Sequence, residues 1–84
     1  MAEQIELEII VNGQATKVEA NVNAPLHSVI GRALEQTSNS GQPPENWEMR
    51  NAAGDLLDLG AKIGTIGLIA GSRVFLNLKA GVGG

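Results

Sequence analysis

Ile5-Glu6-Leu7-Glu8-Ile9-Ile10-Val11-Asn12-Gly13-Gln14-Ala15-Thr16-Lys17-Val18-Glu19-Ala20-Asn21-Val22 reads as two strands joined at Asn12-Gly13. In the first, Ile5, Leu7, Ile9 and Val11 alternate with Glu6, Glu8 and Ile10, the period of a strand with one buried face. Asn12-Gly13 is the strongest short signal for a two-residue type I′ turn, because both central positions need positive φ and these residues tolerate it best. Such a loop sets Val11 opposite Gln14, Ile9 opposite Thr16, Leu7 opposite Val18 and Ile5 opposite Ala20. Directly opposed residues share a face. The second strand's own alternation, Thr16, Val18, Ala20 and Val22 inward with Lys17 and Glu19 outward, puts its apolar set on that same face, so turn and pattern specify one register.

Beyond the hairpin, Asn23 is expected to cap a helix that has Pro25 in its first turn. Leu26, Val29, Ile30, Ala33 and Leu34 form its apolar stripe and pack on the hairpin's buried face. His27, the sole histidine, falls on the other side with Ser28, Arg32, Glu35 and Gln36. It reads as a surface residue rather than a ligand or base. Gly31 costs such a helix about 1 kcal/mol relative to alanine, which either close packing or partner access explains. Thr37 to Pro44 is rich in helix breakers and ends the helix. Glu45 to Asn51 is a short strand with Trp47 and Met49 inward, Ala53-Gly54-Asp55 turns the chain, and Leu56 to Leu59 is expected to form a short edge strand. Gly60 to Gly71 is glycine-rich but lacks the Gly-Lys-Ser/Thr ending of a phosphate-binding loop. It reads as turns, with Ile63, Ile66 and Leu68 plugging the end of the core.

Val74, Leu76 and Leu78 then alternate with Phe75, Asn77 and Lys79 in a last strand, which runs into Ala80-Gly81-Val82-Gly83-Gly84. Without β-carbons at three of these positions, residues 80–84 are expected to be a flexible, extended tail outside a domain of residues 1–79. The unusual group of the tail is the α-carboxylate of Gly84.

Composition narrows the class. The chain has 84 residues, one domain's worth, and 43% of them are hydrophobic, too many for a disordered chain. No apolar run approaches the roughly 18 residues of a membrane span. The start, Met1-Ala2-Glu3-Gln4, has no signal-peptide pattern, so a cytoplasmic location is expected. With no cysteine, disulfides, thiolate metal sites and a cysteine nucleophile are excluded. Nine acidic against six basic residues give a net charge of −3. That balance favours neither nucleic acid nor an anionic membrane and leaves other proteins as the expected partners. No paired carboxylates or nucleophile with a base stand out, so the chain is not expected to be an enzyme, and no metal site is expected.

The order of these elements resembles the ubiquitin-like β-grasp family from Ile5 to Gly84. Pro43-Pro44-Glu45 precedes the third strand, where ubiquitin also has two prolines and an acidic residue. Ala53-Gly54-Asp55-Leu56-Leu57 sits at the next turn, and Ser72 to Lys79 leads to Gly83-Gly84. The resemblance implies an α+β fold: a mixed sheet of four to five strands, first and last strands parallel and central, with one helix packed across it. It further implies a divergent modifier of the kind that bacteria encode beside activating and conjugating enzymes. Gly84, with Gly83 and the basic Lys79 leading to it, would be conjugated to target amines. ATP would be consumed by the partner activating enzyme, the chain itself needing no cofactor. Positions that align with the family's aliphatic binding patch are polar here, Arg50 and Asn77. With Phe75, which the alternation puts on the same face, they mark a possible partner surface for something other than ubiquitin's receptors. If chains form, Lys17, Lys62, Lys79 and the N-terminal amine are the acceptors, and the free protein is expected to be a monomer. Two other readings fit the same residues: a sulfur carrier of the thiamine or molybdopterin type, with a thiocarboxylate at Gly84, and a binding module that never uses its terminus.

Overall fold

The computed structural model describes residues 3–81. Four strands form one mixed sheet in the order β2-β1-β4-β3. Strand β1 (Gln4–Val11) and β2 (Gln14–Asn21) are the hairpin, with Val11 opposite Gln14, Ile9 opposite Thr16, Leu7 opposite Val18 and Ile5 opposite Ala20. Asn12 and Gly13 lie at φ +49° and +87°, the geometry that a two-residue turn demands. The last strand, β4 (Arg73–Leu78), runs parallel to β1, and β3 (Trp47–Asn51) pairs antiparallel with β4. The first and last strands are therefore the central pair.

One helix, α1 (Ile30–Gln36), packs across one face of this sheet. The expected side-chain cap at Asn23 does not form; its N–H instead donates to Asn21 Oδ1 at 2.8 Å. The residue before a proline is pushed to extended backbone, and Pro25 is itself extended, with ψ 151°. The chain consequently enters through a 3-10 turn, Leu26–Val29, before α1 begins. A distant loop caps it: the Leu26 N–H donates to the Ala61 carbonyl at 2.9 Å and the His27 N–H to the Leu59 carbonyl at 3.0 Å. The same loop continues this contact, with Ile63 N–H donating to the Ala24 carbonyl and Gly64 N–H to the Val22 carbonyl. At the other end, Thr37 turns its buried hydroxyl back to the Ala33 carbonyl at 2.9 Å. Asn39 N–H closes onto the Leu34 carbonyl at 2.8 Å, ending the helix.

The core consists of the residues whose spacing places them inward. Leu7, Ile9 and Val11 of β1, Val18 and Ala20 of β2, Leu26, Val29, Ile30, Ala33 and Leu34 of the helical segment, Trp47 and Met49 of β3, Ile63, Leu68, and Val74 and Leu76 of β4 form one buried cluster. Ile5, Ile66 and Leu78 pack against its rim.

Two boundaries differ from the sequence reading. Glu45 belongs to a 3-10 turn, Pro44–Asn46, so β3 starts at Trp47. The expected edge strand over residues 56–59 shrinks to a single bridge between Arg50 and Leu56. The side chain of Asn51 accepts hydrogen bonds from the N–H groups of Ala53 and Asp55, which tightens the turn. Leu57 N–H then reaches the Met49 carbonyl at 2.8 Å before the chain departs to cap the helix. Leu57 and Leu59 pack against the core, whereas Leu56 stays 60% exposed.

Gly31 is resolved by geometry. Apart from its chain neighbours and its own helix backbone, no heavy atom of the described residues lies within 4 Å of the place a β-carbon on Gly31 would occupy, so close packing does not require glycine there. It faces a groove of about 420 Å³ between α1 and the proline loop, bordered by Ser28, Arg32, Ser40, Gln42 and Pro43. The Gly31→Ala variant is expected to be more stable than the parent by roughly 0.5–1 kcal/mol. Thermal unfolding checks this, with a rise of a few degrees anticipated for a domain of this size; a fall would show a constraint on Gly31 that the backbone does not reveal.

Candidate functional site at the end of the last strand

Strand β4 carries the candidate site. Its inward residues, Val74 and Leu76, are fully buried between the helix and the sheet, which locks the strand's rotation and turns Arg73, Phe75 and Asn77 to the opposite, open face. Phe75 lies level with Arg50 on one neighbouring strand and with Ile10 on the other, and Asn77 lies level with Glu48. The three residues expected to mark a partner surface, Phe75, Arg50 and Asn77, thus share one face.

Arg50 is already engaged there. Its Nε donates to Glu48 Oε2 at 3.0 Å and its Nη1 to the Gly54 carbonyl at 2.9 Å. At the other side of the face, Arg73 Nε donates to Glu8 Oε1 at 2.6 Å. Both pairs are solvent-facing and contribute to stability by at most about 1 kcal/mol each. Their main effect is to fix the Arg50 and Arg73 side chains to partners on this face.

The centre of this face contains a residue the sequence reading did not join to the site. Ile10, half-buried on the open face, is the parallel neighbour of Phe75. The hairpin pattern places Ile10 outward, but its meeting with Phe75 depends on the β1–β4 register, which connects residues 65 positions apart and leaves no local signal. Ala15 continues the row on β2, opposite Ile10. Ala15, Ile10, Phe75 and Arg50 therefore cross all four strands at one level.

Lys79 stands at the exit from the sheet, exposed, with its N–H donating to the Asn46 carbonyl at 2.8 Å. Ala80 and Gly81 follow in a turn. Gly83 and Gly84, with Val82, lie outside the described residues, as does most of the segment expected to be a flexible tail. The lysines expected as acceptors are well separated. Lys17 is exposed on β2 opposite Glu8, while Lys62 is exposed where the loop after Gly60 bridges to Pro25. His27 is exposed and borders a groove of about 250 Å³ with Ile30, Pro44, Glu45 and Leu59. Among the described residues, no three His, Cys, Asp or Glu side chains gather as metal ligands. Among them, too, no helix is long and apolar enough to cross a membrane.

A mixed sheet with central parallel first and last strands, crossed by one helix, is the ubiquitin-like β-grasp fold. A ubiquitin-based protein designed de novo superposes with a TM-score of 0.77 at 20% identity, covering 96% of this chain and 95% of the design. The ubiquitin of Caldiarchaeum subterraneum superposes at 0.69 with 19% identity, over 98% of this chain and all of that one. At such identities the likeness establishes the fold alone. Within that class, residues 1–84 match the family described as "Protein of Unknown function (DUF2604)", and the chain belongs to it. A relative from Sinorhizobium fredii (strain NBRC 101917 / NGR234), "Uncharacterized protein y4jI", is 54% identical over 81 residues, which is 96% of this chain. The chain spans 62% of that relative's length.

Proposed function

We propose that the chain is a protein modifier that uses its diglycine terminus. The observation that carries this reading is the ubiquitin-like fold whose central last strand delivers the chain, past Lys79, to Gly81-Val82-Gly83-Gly84. In the proposed reaction a partner activating enzyme binds ATP, and the Gly84 carboxylate attacks its α-phosphate, expelling pyrophosphate. A cysteine thiolate of the enzyme then displaces AMP to form a thioester. A target amine displaces the thiolate in turn and leaves an amide bond. Every catalytic group belongs to the partners, and the chain supplies the nucleophilic carboxylate and a terminus narrow enough to be threaded. Lys79 is the basic residue such an enzyme would read.

The row centred on Ile10 and Phe75 is the surface offered to these partners. It differs in kind from an aliphatic patch: a single aromatic and an isoleucine are framed by Arg50, Arg73 and their carboxylate partners. Discrimination against ubiquitin's receptors would come from those charges, because an apolar partner would strip water from the Arg50–Glu48 pair without offering hydrogen bonds in its place.

Intact mass and gel analysis of tagged protein recovered from its native cells, against a form lacking Gly83 and Gly84, tests the proposal. Higher-mass adducts that require the two glycines are expected. A gain matching replacement of one oxygen by sulfur, without adducts, would instead identify a sulfur carrier. An unmodified terminus in both forms would overturn the use of the carboxylate altogether.

A further inference from the structure

The two edges of the sheet differ. Along β3 the following loop takes up outward backbone groups, with Asn51 N–H donating to the Asp55 carbonyl at 3.0 Å and Leu57 N–H to the Met49 carbonyl at 2.8 Å. Strand β2 has β1 as its neighbour on one side and no strand on the other. In β1, Glu8 N–H and Asn12 N–H donate to the Ser72 and Leu76 carbonyls, so its even-numbered residues face β4 and its odd-numbered ones face β2. Thr16, Val18 and Ala20 lie opposite those odd-numbered residues and are bonded to β1. Ala15, Lys17 and Glu19 therefore turn their N–H and C=O groups outward, where no loop of the described residues meets them. The strand has eight residues, no proline and an unbroken register with β1, and such an edge is a template for another strand.

Its charges say which strand. Lys17 and Glu19 are both exposed on the open face, and among the described residues the salt bridges are Arg50–Glu48 and Arg73–Glu8, which include neither of them. Glu8, opposite Lys17, is held by Arg73, while Glu19 lies opposite Glu6, a like-charge pair. We propose that β2 pairs with β2 of a second copy, antiparallel about a two-fold axis at Val18. Lys17 then lies opposite the partner's Glu19, and Glu19 opposite the partner's Lys17. Because these are the outward-facing residues, each pair exchanges both backbone hydrogen bonds while its side chains meet with opposite charge. Moving the axis to Lys17 or to Glu19 would set like charges opposite each other. The partner's Lys17 also offsets the repulsion between Glu19 and Glu6. Each copy satisfies the other through the same contact, the condition for a closed dimer. One sheet runs through both copies, with both helices on the same side. The contact is confined to an edge and is weak. It does not depend on the use of Gly84.

Sedimentation equilibrium of the full chain at up to about 1 mM, where weak association is populated, is expected to show a monomer and dimer in exchange. Hydrogen exchange at the Lys17 and Glu19 amides is expected to slow as concentration rises, and that at Thr16 and Val18, already bonded to β1, to respond less. Lys17→Glu and Glu19→Lys each set like charges opposite in both symmetry-related pairs and are each expected to weaken the dimer by roughly 10-fold or more. The double variant K17E/E19K restores opposite charges and is expected to recover it, with nuclear magnetic resonance spectra confirming that all variants are folded. A parent that stays monomeric throughout, single reversals that dimerise as well as the parent, or a folded double variant that does not recover would each overturn the pairing. A dimer whose Lys17 and Glu19 amides exchange at rates independent of concentration would place the contact elsewhere and overturn it too.

Discussion

Trp47→Ala is expected to lower the unfolding free energy by roughly 3–5 kcal/mol, as is usual when a buried tryptophan is truncated. Trp47 is 1% exposed and lies in β3 opposite Leu78, two residues before the buried Met49. A domain of 84 residues has a total stability on the order of 4–13 kcal/mol, so this one change removes a large part of it. Urea unfolding followed by circular dichroism should show the midpoint falling by about 2 M or more. The comparison with Trp47→Phe sharpens the test. The Trp47 indole Nε1 is buried and finds no hydrogen-bond acceptor among the described residues, a defect that costs about 1–3 kcal/mol. Phenylalanine removes that unpaired N–H while leaving a modest void, and the two effects oppose each other. Trp47→Phe is expected to lie within about 1 kcal/mol of the parent. Equal losses in both variants would mean that the indole N–H has an acceptor after all.

Gly84→Ala is expected to slow conjugation about 100-fold while leaving the fold untouched. Residue 84 is five positions beyond Lys79, which makes the last backbone tie among the described residues after β4, and stability measured by urea is expected to be unchanged. In the proposed reaction, a methyl group next to the carboxylate displaces the attacking oxygens within a channel shaped for glycine, and misplacement by about 1 Å suffices for a loss of this size. Single-turnover formation of the adenylate, read as pyrophosphate released, measures the effect directly. An unchanged rate would show that the carboxylate of Gly84 is not the reacting group.

Much of the candidate site was legible before any coordinates. Phe75, Arg50 and Asn77 reach one face because the period of a strand is two, and Val74 and Leu76 leave no doubt which face is buried. Ile10 was legible as an outward residue but not as the neighbour of Phe75. Gly31 was legible as an anomaly with two explanations, and the empty space at its β-carbon position removed the packing one. Gly81 read as a residue without preference, whereas its backbone takes the left-handed region that favours glycine.

The sequence by itself determined the hairpin, its register and nearly the whole core. Those signals are local: a turn whose φ signs only certain residues tolerate, and alternations that a one-residue slip would expose to water. Tertiary structure decided three things. It set the parallel register of β1 and β4 that brings Ile10 beside Phe75. It replaced the expected side-chain cap at Asn23 with the carbonyls of Leu59 and Ala61. It also reduced residues 56–59 from a strand to one bridge, because that stretch is needed to reach the start of the helix. In each case backbone donors and acceptors far apart in the chain compete for partners. That competition is settled only when the layers assemble, since the free energy of a buried hydrogen bond depends on which groups remain to share it.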